Sequence, residues 1–245
     1  MDIWDNNLMP CGSLIEALSF DLGQKQMVSL VGAGGKTSLA MQLAKELVQK
    51  KQKTIVTTTT HMFQPKHFGV LDGTVEQVKQ QLEKDGIAVV GSTADNRKMT
   101  KVPGDMLLAC SQISDMMIVE ADGAKRLPLK APNQTEPVIP EQTTHLLVVA
   151  GLSALSKPIE QVCHRIEVVC QLLQTHPQHK ITKRDIAKIM KKGYCEPNRN
   201  QSITVVLNQA DDWDKQQQAK QIAQYLTEIP VIITCCLSEG NGKYV

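Results

Sequence analysis

No apolar run in this sequence approaches the roughly 20 residues that a helix needs to cross a bilayer. The longest strongly apolar stretches, 116–119 and 146–150, fall far short of that. Neither sign of charge dominates, with 27 Lys and Arg against 25 Asp and Glu. No general attraction to nucleic acid or to an anionic membrane is therefore expected, and any basic site must be local. The N-terminal segment carries Asp2 and Asp5 and lacks a basic region followed by an apolar stretch, which predicts a cytoplasmic protein. The seven cysteines (Cys11, Cys110, Cys163, Cys170, Cys195, Cys235 and Cys236) include no C-x-x-C pair. Neither a disulfide framework nor a zinc knuckle is indicated, and reduced thiols are expected. The neighbours Cys235 and Cys236 read as small residues closing an apolar strand. With no repeat, low-complexity tract or clear linker, a single domain over 1–245 is expected.

What is present is the composition of an ordinary globular chain, 42% hydrophobic and 21% charged over 245 residues, enough to bury a sizeable core. Short Val- and Ile-rich runs at 28–31, 54–58, 87–90, 116–120, 145–150, 203–207 and 231–234 read as strands. Segments of helical period lie between them, at 37–50, 75–84, 104–113, 158–174, 182–192 and 214–228. This alternation predicts a three-layer α/β domain, P-loop NTPase-like, with a mainly parallel sheet. Thr182 with Asp185 three residues on is a helix-capping signal. The stretch 121–142 carries Pro128, Pro132, Pro137 and Pro140 and reads as a long loop, functional or mobile. The segment 174–200 reads as a small helical insertion.

The chemistry concentrates where Val31-Gly32-Ala33-Gly34-Gly35-Lys36-Thr37-Ser38 joins the first apolar run to the first helix. Glycines let backbone amides converge on phosphate oxygens, and the helix end adds a favourable dipole. A lysine reaches the terminal phosphates, and a threonine hydroxyl can coordinate Mg²⁺. Gly32, Ala33, Gly34, Gly35, Lys36, Thr37 and Ser38 are the expected contacts for ATP or GTP, with Thr37 on the metal. The usual G-x-x-x-x-G-K-[ST] pattern would place its first glycine at Leu30, so the loop is a variant. A dinucleotide fingerprint would require Gly or Ala where Thr37 stands.

Glu120 and Asp122 end the apolar run 116–119 as the acids of a Walker B strand would, and both are candidates for the Mg²⁺ shell and for catalysis. Thr57-Thr58-Thr59-Thr60-His61 follows the second strand, with Thr60 a further metal candidate. Lys125, Arg126 and Lys130 follow Asp122 and suit a second anion or transition-state charge, with Lys125 and Arg126 as catalytic candidates. Asn208-Gln209-Ala210-Asp211 stands close to the Asn-Lys-x-Asp base-reading motif of GTPases. There Asp211 would accept from N1–H and the amine of guanine, and the alternative role for it is a helix cap.

The glycine-lysine-threonine loop, the threonine run and Glu120 to Pro132 resemble the YqeC family, as do Glu136-Pro137-Val138-Ile139-Pro140, Gly151-Leu152, Lys157-Pro158 and His164-Arg165. That family is described as accessory proteins of selenium-dependent molybdenum hydroxylases, or selenium cofactor biosynthesis proteins. The resemblance implies a nucleotide-dependent step in maturing a molybdenum hydroxylase cofactor. The hydroxylase or that cofactor would then be a partner beside the nucleotide, and a homodimer is a further expectation. Two other readings stay open: a P-loop kinase or ligase that activates a small molecule, and a binding module clamped by nucleotide with negligible turnover.

Overall fold

The computed structural model describes residues 3–5, 7–195 and 201–235. Cys236 and the end of the expected insertion, 196–200, lie outside the described residues. Seven strands form the middle of one sheet and are numbered in chain order: β1 Gln26–Gly32, β2 Thr54–Thr58, β3 Ile87–Ala94, β4 Met116–Glu120, β5 His145–Gly151, β6 Ser202–Asn208 and β7 Val231–Thr234. Across the sheet they run β7-β6-β5-β1-β4-β2-β3, each parallel to its neighbours. These are the strands that the apolar runs announce.

Their middles are buried on both sides, and mostly apolar, because helices cover both faces of the sheet. Along β5, Leu146, Val148 and Ala150 pack into one layer, and Leu147 and Val149 into the other. On the second face lie the helix α1 Lys36–Gln49 and a short helix, Leu14–Leu18. Leu39, Leu43 and Leu47, four residues apart, put one stripe of α1 against the sheet, and burying each leucine contributes about 1.5–3 kcal/mol. The first face is covered by α2 Val75–Asp85 and α3 Gly104–Ile113 over β2 to β4. Beside them α4 Ile166–Leu173, α5 Lys183–Tyr194 and α6 Trp213–Ala223 cover β5 to β7. Thr182 caps α5 as its sequence suggests, accepting from Asp185 N–H while Asp185 accepts from Thr182 N–H. The segment read as an insertion thus holds α5, which buries Ile186, Ile189, Met190 and Tyr194 in the same core as α4 and α6. Among the described residues no helix is long and apolar enough to cross a membrane.

Three local expectations are corrected. The helix expected at 158–174 is broken: Ile159–Val162 is helical, Cys163–His164 is extended and pairs in parallel with Leu129–Lys130, and Arg165 takes φ 64° before α4 begins. A helical period in that sequence is overridden by pairing with a strand more than thirty residues away. The helix expected over 214–228 ends at Ala223. The sheet is also wider than expected. Ile3–Trp4 joins β7 antiparallel, Gly69–Leu71 joins β3, and Lys98–Thr100 with His61–Phe63 extends the far edge. Two- and three-residue strands are too short to carry a readable period.

Candidate functional site

The site arises from register. Leu30 of β1 lies opposite Glu120 of β4, and Thr58 of β2 lies opposite Glu120 on the other side. One pleat beyond the Leu30–Glu120 pair, Gly32 meets Asp122, and Gly32 N–H donates to Asp122 Oδ2 at 3.0 Å. Gly151 of β5 lies opposite Asn208 of β6. Every one of these positions is at a strand's carboxyl end, where open α/β sheets bind ligands.

The turn from β1 to α1 is left-handed at Gly32, Gly34 and Gly35, with φ of 87°, 89° and 107°. A side chain at Gly34 would collide with the backbone of Gly151, so only glycine fits there. Ala33 N–H donates to Val149 O and Gly34 N–H to Leu127 O, which pins the turn from both sides. No side chain caps α1, and its first internal bond runs from Leu39 N–H to Gly35 O. The amides of Gly35, Lys36, Thr37 and Ser38 therefore lack an acceptor within the helix and present the positive end of its dipole. Gly35 and Ser38 are exposed, while Lys36 is buried.

Beneath this helix end runs a ladder of alternating charges. Lys36 Nζ donates to Gly32 O at 2.7 Å, sits 3.0 Å from Asp122 Oδ1 and 4.0 Å from Glu120 Oε1. Thr37 Oγ1 donates to Glu120 Oε2 at 2.7 Å. Asp122 Oδ2 also lies 3.2 Å from Lys130 Nζ, which reaches Glu136 Oε2 at 2.8 Å, and Glu136 in turn pairs with Arg165 at 2.5 Å. Burial pushes the Glu120 carboxyl above the usual range, with the charge of Lys36 and the Thr37 hydrogen bond offsetting only part of that. Burial acts the same way on Glu136, but its bonds to Lys130 and Arg165 prevail and hold it low.

The sequence candidates separate into distinct environments. Thr60 is buried beside this cluster of strand ends, and its hydroxyl has no hydrogen-bond partner. Lys125 and Arg126 are exposed and left-handed, with Arg126 stacked 4.5 Å from the centre of the Phe63 ring. Lys130 is fully buried in ion pairs. The three cations expected to share one anion are therefore split, because Leu129–Lys130 turns inward to pair with Cys163–His164. Asn208 Nδ2 donates to Gly34 O at 2.7 Å, and its Oδ1 accepts from Thr234 at 2.8 Å. The residue thus ties β6 and β7 to the turn. Asp211 is exposed and 3.9 Å from Lys215 Nζ, and the helix cap is its neighbour Asp212. Gln209 turns toward Ser153, accepting from its hydroxyl at 2.6 Å.

Sequence reasoning gave no role to Glu136 or Arg165, although both stand in the quoted motifs. Twenty-nine positions separate them, and no periodicity links residues so far apart.

A family model described as "YqeC protein" matches residues 28–167. The YqeC protein of Escherichia coli (strain K12) is 29% identical over 185 residues, covering 71% of this chain and 72% of that protein. Among solved structures, the signal recognition particle 54 kDa protein from Aeropyrum pernix K1 in complex with GDP aligns at a TM-score of 0.42 and 15% identity, over 91% of this chain and 44% of that one. Chloroplast FtsY from Physcomitrella patens aligns at 0.43 and 14% identity, over 85% and 57%. The chain spans about half the length of these solved structures.

Proposed function

We propose that this chain, which belongs to the YqeC family, binds a nucleoside triphosphate with Mg²⁺ at the N-terminus of α1 and hydrolyses it. The observation that carries this reading is the meeting of Lys36, Thr37 and Glu120 at an uncapped helix end, with Thr37 Oγ1 2.7 Å from Glu120 Oε2. A hydroxyl and a carboxylate are hard oxygen donors, the kind Mg²⁺ takes together with phosphate oxygens. They fit the ion, which when bound would neutralise phosphate charge. Lys36 and the amides of Gly35 to Ser38 hold the phosphates. Asp122 Oδ2 accepts from Gly32 N–H and faces Lys130, while Oδ1 accepts no hydrogen bond and lies 3.0 Å from Lys36 Nζ; in this reading Asp122 sets the position of the lysine and the turn, and Glu120 serves the metal.

Two segments would respond to the terminal phosphate in this reading. Thr59 N–H donates to Glu120 O and Thr59 Oγ1 to Val138 O. Arg126 stacks on Phe63, so the chain after β2, at Thr59 and Phe63, touches both Glu120 and the chain after β4, at Arg126 and Val138. Ordering of these segments on NTP binding and release on hydrolysis is the proposed cycle. That the cycle serves the maturation of a selenium-dependent molybdenum hydroxylase rests on the family resemblance alone.

Hydrolysis of ATP and GTP, measured with and without Mg²⁺ and with and without a candidate hydroxylase, tests the reading. Mg²⁺-dependent turnover that rises with the hydroxylase is the expected result. Failure of both nucleotides to bind would overturn the nucleotide site, and turnover indifferent to the hydroxylase would overturn the partner.

A further inference from the structure

The ion ladder ends at a place the nucleotide reading does not use. His164 and Arg165 form the turn into α4, with His164 paired in register to the buried Lys130. His164 Nδ1 and Arg165 Nη1 are both buried, and neither has a hydrogen-bond partner among the described residues. The other guanidinium nitrogen of Arg165 is held by Glu136, so the unmatched group has a fixed position. An unmatched buried polar atom costs about 1–3 kcal/mol, more when charged, which makes two in adjacent residues an unusual concentration.

The surroundings specify the sign of what would satisfy them. The charges of Lys130, Arg165 and Lys125 all act on the His164 ring, against the single opposing charge of Glu136. Burial and then these cations hold the His164 imidazole below its ordinary pKa. A neutral ring can donate from Nδ1 when that nitrogen carries the proton. Arg165 is also the N-cap residue of α4 and provides no side-chain cap, and the first bond of the helix runs from Val169 N–H to Arg165 O. The amides of Ile166, Glu167 and Val168 thus add donors and a positive dipole end to the same turn.

We infer that His164, Arg165 and the N-terminus of α4, with Lys125 at the rim, form a second site for a small tetrahedral oxyanion, either free or as the phosphate end of a small molecule. The site is separate from the turn at α1 and is joined to it through Arg165, Glu136, Lys130, Asp122 and Lys36. An oxyanion on Arg165 Nη1 shares the guanidinium with Glu136, which holds Nη2. Occupancy therefore reaches the lysine that serves the nucleotide.

The test is calorimetric titration of inorganic phosphate into the full chain in two backgrounds, the parent saturated with Mg²⁺-nucleotide and the Lys36→Ala variant. One phosphate per chain should bind in both. Arg165→Lys, which keeps the charge and loses the fork, and His164→Gln should each weaken phosphate roughly tenfold, the loss of one charge-assisted bond. Lys125→Ala, at an exposed position that leaves the core untouched, should weaken it in the same direction. Ribose 5-phosphate binding more tightly than phosphate would assign the site to a phosphorylated molecule, and equal binding would assign it to the free anion. Phosphate affinity unchanged in all three variants, or abolished by Lys36→Ala, would overturn the inference. A parent that binds no nucleotide while Lys36→Ala keeps its phosphate site would instead overturn the reading of α1 and leave this one standing.

Discussion

The carboxylate of Asp122 and the ammonium of Lys36 form a buried ion pair at 3.0 Å. The lysine at the mouth of α1 is thus held by an acid from the end of the neighbouring strand. Because Asp122 also accepts from Gly32 N–H and lies 3.2 Å from Lys130, one side chain fixes the turn, its lysine and the loop that follows β4.

Replacing Asp122 by Asn removes the charge shared by two buried lysines. Breaking a buried ion pair on one side costs about 3–5 kcal/mol. The denaturant midpoint should fall accordingly, and nucleotide binding should be lost even where the variant remains folded. An unfolding midpoint equal to that of the parent would remove Asp122 from its structural role.

Lys36→Ala leaves Asp122 with Lys130 and the Gly32 amide, so the chain should fold. Mg²⁺-NTP binding should weaken at least tenfold, the value of one charged contact. Undiminished affinity in an equilibrium titration would end the phosphate-site assignment.

Glu120→Gln separates stability from function. The folded carboxyl binds its proton more readily than the unfolded one, so its ionisation destabilises the fold as pH rises from the unfolded carboxylate pKa through the raised folded value. Above that window Gln should melt at a higher temperature than the parent. Below the window the difference should vanish, because both forms are then neutral. Mg²⁺-dependent hydrolysis should fall at least roughly tenfold with nucleotide binding in the absence of metal little changed. Melting curves across pH, paired with turnover, decide it: equal turnover would take Glu120 out of the metal shell.

Guanine preference depends on Asp211, which is exposed and lies 3.9 Å from Lys215 Nζ. If it reads guanine, GTP should bind at least about tenfold tighter than ATP, and Asp211→Asn should shift preference toward XTP. Equal affinities for GTP and ATP, or no shift in the variant, would leave Asp211 as a surface acid beside the Asp212 cap.

The sequence by itself determined the seven parallel strands, since strands covered on both faces are rich in Val, Ile and other residues that tolerate burial, and such runs stand out over a few contiguous positions. The glycine-lysine-threonine turn was legible for a similar reason, because a tight left-handed turn into a helix mouth needs its glycines contiguous in the chain. It also announced Thr182 and Asp185 as a cap, a contact spanning three residues. What only the tertiary structure decided is how the charges are shared. Glu120 and Asp122 are two residues apart and equally acidic, yet Glu120 closes β4 and reaches Thr37, while Asp122, in the chain beyond the strand, lies against Lys36 and Lys130. Lys125, Arg126 and Lys130 look like one basic cluster, yet the pairing of Leu129–Lys130 with Cys163–His164 buries the last and leaves the others in solvent. That pairing also breaks the expected helix at 158–174 and places Arg165 on Glu136. Such contacts join segments whose separation exceeds any local period, and their energies depend on burial, which exists only once the sheet and its two helical layers have closed around them.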